Sequence, residues 1–346
     1  MQIFKRAVVL VLVGAAAAVA VLYHYYPGRK PPEIQRGNLP ALISLMPVDS
    51  PYVFYADLAA LRRSPFLAQL AALAPAPPAD REYAEFVRAT GLDYSRDLDS
   101  VVLAFQPGSP ENITVAVAEG RFDHQKISAY ALRSGKLERQ HGAEVYVLPS
   151  NSPAKSVAFA FLAPNRVALV EGASLAPLFA PRTPSTLDPA MRERILRVAG
   201  SALFAVGHVK PIPENFSIGG MRSDQFSNLV RTIRWFSLAA RPDGDRLKVA
   251  VEGECDSTAS ALQLLATVEA LRFLGRASLA APKTRRQLQP QAATLLDHLL
   301  RDIDVTREGQ RVRLRLEVTS AMLREATQPI PPPNPGGPSA RSRVGN

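Results

Sequence analysis

Pairs of strand-like runs separated by only a short turn recur along this sequence, and this constrains its fold more than any other feature. Strands joined by a few residues must pair antiparallel, because a parallel pair needs a crossover of a dozen residues or more. Residues 100–106 and 113–119 flank Pro107-Gly108-Ser109-Pro110. His141-Gly142 and Pro164-Asn165 mark two further turns, the second joining strands at 157–162 and 167–170. Arg241-Pro242-Asp243-Gly244 separates 233–240 from 247–252, and Glu308-Gly309 precedes 311–318. In that last strand Val312, Leu314, Leu316 and Val318 alternate with Arg311, Arg313, Arg315 and Glu317, giving a core face and a solvent face. The strands at 157–162 and 167–170 are apolar on both faces and belong in the middle of a sheet.

Helical patterns fall between the hairpins. A strand at 52–57 leads into a helix at 58–73, a second helix covers 80–90, and a third covers 123–134. The later part of the chain repeats the order of hairpin, glycine, aspartate, helix and hairpin: Glu119-Gly120-Arg121-Phe122-Asp123 matches Glu252-Gly253-Glu254-Cys255-Asp256. In both, glycine releases the strand, and Asp123 or Asp256 stands where a helix N-cap accepts backbone N–H bonds. The helix after Asp256 covers 257–274, and another is inserted near 291–300. The expected class is α+β, with two related halves of antiparallel hairpins packed against helices after one N-terminal transmembrane helix. The divisions are a leader and anchor at 1–26, a linker at 27–40, halves at 41–182 and 183–327, and a proline-rich, disordered tail at 328–346.

Residues Ala7 to Tyr26 carry no formal charge. At about 1.5 Å of helical rise each they span about 30 Å, the thickness of a hydrocarbon core. Lys5 and Arg6 precede the run, Tyr23, Tyr25 and Tyr26 lie where an aromatic belt would, and Pro27-Gly28 ends it. Ala18-Val19-Ala20 satisfies the small-x-small rule for signal peptidase, but the apolar character continues through it, favouring an uncleaved anchor. Arg29, Lys30 and Arg36 compete with Lys5 and Arg6 in setting orientation. The short charged leader points to an exported body on a single-pass anchor in the cytoplasmic membrane.

The net charge of +10 does not mark a nucleic-acid-binding protein. Seven of the 41 basic residues, Lys5, Arg6, Arg29, Lys30, Arg36, Arg341 and Arg343, lie in the leader, linker and tail with only Glu33 opposing them. The body is close to balance. The single cysteine excludes an intramolecular disulfide, and the period-two pattern of Leu247, Val249, Val251 and Cys255 makes Cys255 a buried core thiol.

The stretch Leu45-Met46-Pro47-Val48-Asp49-Ser50-Pro51, continuing through Tyr52-Val53-Phe54-Tyr55-Ala56-Asp57-Leu58 to Leu61-Arg62-Arg63-Ser64-Pro65, has a Pro-x-Asp, strand, Asp-Leu, Leu-Arg pattern. With the strand-Gly-x-x-Asp-helix unit, it resembles a group of uncharacterised exported or membrane-anchored bacterial proteins. The resemblance implies location and fold and brings no activity.

Candidate chemistry is sparse. Ser152-Pro153-Ala154-Lys155 has the Ser-x-x-Lys spacing of penicillin-recognising enzymes, but Pro153 sets it in a loop and Lys283-Thr284 lacks the following glycine. Asp97 with Asp99, and Asp302 with Asp304, could present paired carboxylates to a hard cation; each pair precedes a strand and reads as solvated or capping. His24, His124, His141, His208 and His298 have no His or Cys partner at metal-ligand spacing. Arg311, Arg313 and Arg315 stand about 7 Å apart along one strand face and are the candidate contacts for an anionic partner, with Asp304, Glu252 and Glu254 as competing cross-strand neighbours. The expected function is a non-catalytic binding or structural role in the envelope, without cofactor or metal, with another envelope protein or an anionic polymer as partner. The alternatives are an envelope hydrolase or transferase, and an anchored protein whose body faces the cytoplasm.

Overall fold

The computed structural model describes residues 40–47, 50–73, 81–106, 113–149, 156–171, 187–209, 217–218, 221–222, 232–281, 297 and 300–327. The expected anchor, nearly all of the linker, the tail, the 182/183 boundary, the Pro107–Pro110 turn, most of the 291–300 helix, the Ser152–Lys155 and Lys283-Thr284 motifs, His24 and His298 lie outside them. Among the described residues no helix is long and apolar enough to cross a membrane.

The chain is an α+β protein built on one large antiparallel sheet. A 3-10 helix at Ala41–Leu45 precedes β1 (Tyr52–Asp57), α1 (Leu58–Arg62), α2 (Pro65–Leu73), α3 (Arg81–Thr90) and α4 (Tyr94–Asp97). Then come β2 (Leu98–Gln106), β3 (Ile113–Gly120), α5 (His124–Ala131), β4 (Lys136–Gln140), β5 (Ala143–Pro149), β6 (Ser156–Ala163) and β7 (Arg166–Glu171). The later elements are α6 (Pro189–Val198), β8 (Leu203–His208), a two-stranded ribbon of β9 (Ser217–Ile218) and β10 (Met221–Arg222), β11 (Ile233–Asp243), β12 (Arg246–Cys255), α7 (Thr258–Ala280), β13 (Asp304–Glu308), β14 (Arg311–Thr319) and α8 (Ser320–Thr327). Twelve strands lie in the order β13-β14-β12-β11-β8-β1-β2-β3-β7-β6-β5-β4. The apolar runs at β6 and β7 are interior strands, as their two-sided burial requires, while the edge strands β4 and β13 are short and charged, which discourages pairing with another chain.

The sheet is continuous because β8 pairs with β1. Tyr52 lies opposite Gly207 and Ala56 opposite Leu203, and β8 pairs on its other side with β11. The Asp57 N–H donates to the Ala202 carbonyl (2.7 Å) and the His208 N–H to that of Pro51 (2.8 Å), extending the ladder at both ends. Tyr55 stacks on Phe204 across the pair, centroids 5.1 Å apart. A Cβ at Gly207 would stand 2.3 Å from Phe236 Cε1 and 2.5 Å from Tyr52 Cδ1, so the rings of both neighbouring strands lie where any other residue would put its side chain. Outward from the junction the orders are β1-β2-β3-β7-β6 and β8-β11-β12-β14-β13; the β4–β5 hairpin extends only the first.

Both faces are covered. On one, Leu42, Ile43 and Met46 of the 3-10 segment and Met191, Ile195 and Val198 of α6 pack on Val102, Val117, Phe204, Val206 and Trp235. On the other, Ile127 and Ala131 of α5 meet Val101, Leu103 and Leu169. Phe66 of α2, fully buried, lies among Leu247, Val249 and Val318. Burial of such a ring is worth about 2 kcal/mol and fastens a helix that follows β1 onto strands beyond β8. Cys255 is a buried core thiol against Ala261, Leu264 and Val312, and burial pushes its pKa up.

Three expectations change in detail. The helix expected over 58–73 breaks at Arg63-Ser64, because Pro65 has no N–H to continue it and starts α2 instead. Asp123 caps α5, accepting from the Lys126 N–H (3.0 Å), but Asp256 does not cap α7. Ser257 takes that role from the Ser260 N–H (3.1 Å), because Asp256 is held in the strand direction by its own N–H bond to the Thr232 carbonyl. α7 also runs on to Ala280, past the expected end at 274.

The two strand-ending glycines are not equivalent. A Cβ at Gly120 would meet the Asp97 carbonyl oxygen at 2.3 Å, whereas at Gly253 the nearest atoms are flexible methyls of Ile233 and Leu264 at 3.4 Å. Gly120→Ala is expected to cost about 2 kcal/mol or more through backbone displacement, and Gly253→Ala less than about 1 kcal/mol. Urea unfolding followed by Trp235 fluorescence measures both.

Candidate functional site

The row Arg311, Arg313 and Arg315 does not form an unoccupied ridge. Its side chains are only 27%, 28% and 23% exposed and each meets a carboxylate. Arg313 donates to Glu252 (2.6 Å), Arg311 to Glu308 (2.8 Å), and Arg315 stands 3.8 Å from Asp304. Glu254, the cross-strand neighbour of Arg311, is taken by Arg194 and by Arg197 (3.0 Å) from α6. Arg197 also reaches Glu252 (3.3 Å), and the Arg194 guanidinium lies 4.3 Å over the Trp235 ring. Burial pushes the Glu254 carboxyl up, but the two guanidinium groups outweigh it and hold the carboxyl below its ordinary range. The strand face expected to be solvent is therefore a half-buried ionic network that ties α6 to β12 and β14.

Asp97 and Asp99 of the first aspartate pair are structural as well. Asp97 is buried rather than solvated: Arg96 binds it at 2.9 Å and Arg121 at 3.2 Å, and the Asp93 N–H donates to it at 2.9 Å. Asp99 pairs with Arg62 (3.0 Å). His124 stacks on Phe161 with Nε2 3.0 Å from the Pro164 carbonyl, His141 occupies the β4–β5 turn at φ 52°, and His208 meets Trp235 edge-on. Among the described residues no group of three or more His, Cys, Asp or Glu is arranged to hold a metal ion.

Two spaces among the described residues are marked by no short sequence motif. The first is an open cleft of about 440 Å³ at the junction, where β1 and β11 end and β8 begins. Tyr55 and Asp57 line it from β1, Arg63 from the α1–α2 bend, Ser201 from the turn after α6, and Arg241 from β11. Neither Arg63 nor Arg241 has an ion-pair partner within 4 Å among the described residues. The Ser201 Oγ is buried and has no hydrogen-bond partner among the described residues. Asp57 is committed to the Ala60 N–H (2.7 Å), and Asp243 beside Arg241 to Lys248. Burial, followed by the charges of Asp57 and Glu119, pushes the Tyr55 hydroxyl up to about 12, so it remains a neutral donor at physiological pH. The second space is an apolar cavity of about 300 Å³ between α3, α5 and the sheet.

No known protein family matches the sequence, and no curated protein matches it. Among solved structures, crystal form III of TP0453 is similar at 12% identity and a TM-score of 0.44, over 86% of this chain and 96% of that one. Crystal form IV gives 11% and 0.43 over 85% and 95%, and form I 10% and 0.41 over 84% and 98%.

The Asp97 cluster makes stability pH-dependent. Hydrogen bonds from Arg96 hold its carboxyl far below the usual range, against the opposing effect of burial, with the Asp93 N–H and Arg121 assisting. A carboxyl whose folded pKa is depressed stabilises above its unfolded value of about 4 and loses that contribution as pH falls through the folded value. Asp97→Asn is expected to cost about 2 kcal/mol at pH 7. Urea midpoints compared at pH 7 and pH 3 should show the gap to the unmodified protein closing at the lower pH.

Proposed function

We propose that this chain is a membrane-anchored envelope protein that binds an anionic group in the junction cleft, without turning it over. One observation carries the binding reading: Arg63 and Arg241, with no carboxylate within 4 Å among the described residues, share a cleft with the neutral Tyr55, while the more conspicuous arginines are neutralised. Guanidinium groups present planar pairs of donors that match carboxylate or phosphate oxygens. The uncharged run from Ala7 to Tyr26 behind Lys5 and Arg6 supports a single-pass anchor in the cytoplasmic membrane with the body exported. The body is read as two related halves, a duplication supported by matching strand order on either side of the β1–β8 pair. A carboxylate-bearing cell-wall polymer then meets the cleft on the side of the membrane where such polymers lie.

Binding and location are tested together on the full chain. Alkaline phosphatase fused to the C-terminus should be active, and a fluorescent protein that matures only in the cytosol should be dark; the reverse pattern contradicts export. Reconstituted in neutral nanodiscs, the protein should bind soluble anionic cell-wall fragments in a salt-sensitive way. The pair Arg63→Ala and Arg241→Ala should weaken binding about tenfold or more, about 1.4 kcal/mol. Arg311→Ala should leave it unchanged, and equal losses in both variants would count against the cleft.

A further inference from the structure

The cavity beneath α3 and α5 has a floor of Leu148, Val157, Phe159, Phe161 and Val167 from β5, β6 and β7. Its roof is formed by Phe86 of α3 and by Ile127 and Ala131 of α5. Aromatic contacts prop it open: Phe86 meets Tyr130 edge-on at 5.5 Å, setting α3 against α5, and Phe159 meets Phe161 edge-on at 5.9 Å in the floor. The small Ala131 side chain, 4% exposed, leaves the space unfilled from above.

Protein interiors are packed so closely that voids larger than a water molecule are few. An apolar space of about 300 Å³ forfeits dispersion contacts on every wall unless something fills it. Water is a poor occupant of the interior, because a buried water needs two to four polar partners and the floor and roof side chains named above are all apolar. The volume equals that of about ten methylene-sized groups, taking as the unit the roughly 30 Å³ that a water occupies in the liquid. It also lies within the range of small-molecule sites.

The opening is polar where the interior is not. Exposed Glu85, Arg133 and Ser134 line it, and the Arg133 guanidinium lies 5.3 Å over the Tyr130 ring with no carboxylate partner within 4 Å among the described residues. A cation at the mouth of an apolar chamber matches an amphiphile with a negative head. The Glu85 carboxylate at the same opening opposes a multiply charged head such as a phosphate, which leaves a single carboxylate.

We propose that this cavity holds one medium-length acyl chain, with its hydrocarbon against the β6 and β7 floor and its carboxylate at Arg133. This site is separate from the junction cleft and does not depend on how that cleft is used.

The test is photolabelling of the full chain in neutral nanodiscs with decanoic acid carrying a terminal diazirine, followed by peptide mapping. Adducts are expected on peptides containing Phe159, Phe161 or Ile127, competed by unlabelled decanoate and not by butanoate. Arg133→Gln, a change at an exposed position, should reduce labelling by the acid about tenfold and leave labelling by its methyl ester unchanged. Ala131→Phe, which fills the chamber, should abolish labelling by both; if that variant does not fold, the acid-to-ester comparison on Arg133→Gln still decides. Adducts confined to the N-terminal apolar run, labelling that decanoate does not compete, or equal effects of Arg133→Gln on acid and ester would each overturn the proposal.

Discussion

The pairing of β1 with β8 is the contact on which the other features depend. Without it the strands leading out to β4 and those leading out to β13 would each present an open edge, with Val53, Phe204 and Val206 of the shared core at that edge. Its register is tightly held. Gly207 admits the Tyr52 and Phe236 rings only where no Cβ intrudes, and Tyr55 stacks on Phe204 only in this alignment. A slip of one residue of β1 against β8 would turn the Tyr52 and Tyr55 rings to the opposite faces, away from Gly207 and Phe204. Phe66 adds a second bond of the same kind, carrying α2 across the junction onto β12 and β14.

The placement of charge follows from that frame. Where the arginines of α6, a helix packed on β8 and β11, reach β12, Arg194, Arg197 and the β14 residue Arg313 are removed from water to different degrees and are matched by Glu252 and Glu254. Buried charges persist only when paired, and such pairs hold geometry more than they add stability. At the open junction cleft the constraint relaxes. Arg63 and Arg241 line that cleft with no carboxylate within 4 Å among the described residues.

The hairpins were legible in the sequence because each is fixed by residues a few positions apart: alternation in 311–318, the Gly-containing turns and the Asp123 cap are local facts. Features built from distant residues were not. β8 belongs to no hairpin; it meets β1 and β11, both far away in sequence, so no turn announces it. Asp97 reads as a solvated acid because Arg121 arrives from 24 residues downstream, and Arg311 loses its cross-strand partner because α6 supplies arginines some 60 positions before Glu254. The cleft draws on four separated segments, and the apolar cavity arises from how aromatic rings prop two helices off a sheet. Neither has a linear signature.

Hydrogen exchange on the full chain tests most directly the claim that one sheet unites the body. If the β1–β8 pair makes it a single cooperative unit, the slowest amides of β2 and β3 and those of β11 and β12 should exchange through the same global opening, with the same free energy and the same denaturant dependence. The result that would contradict the account is an opening that releases β8, β11, β12 and β14 while β1, β2 and β3 remain protected.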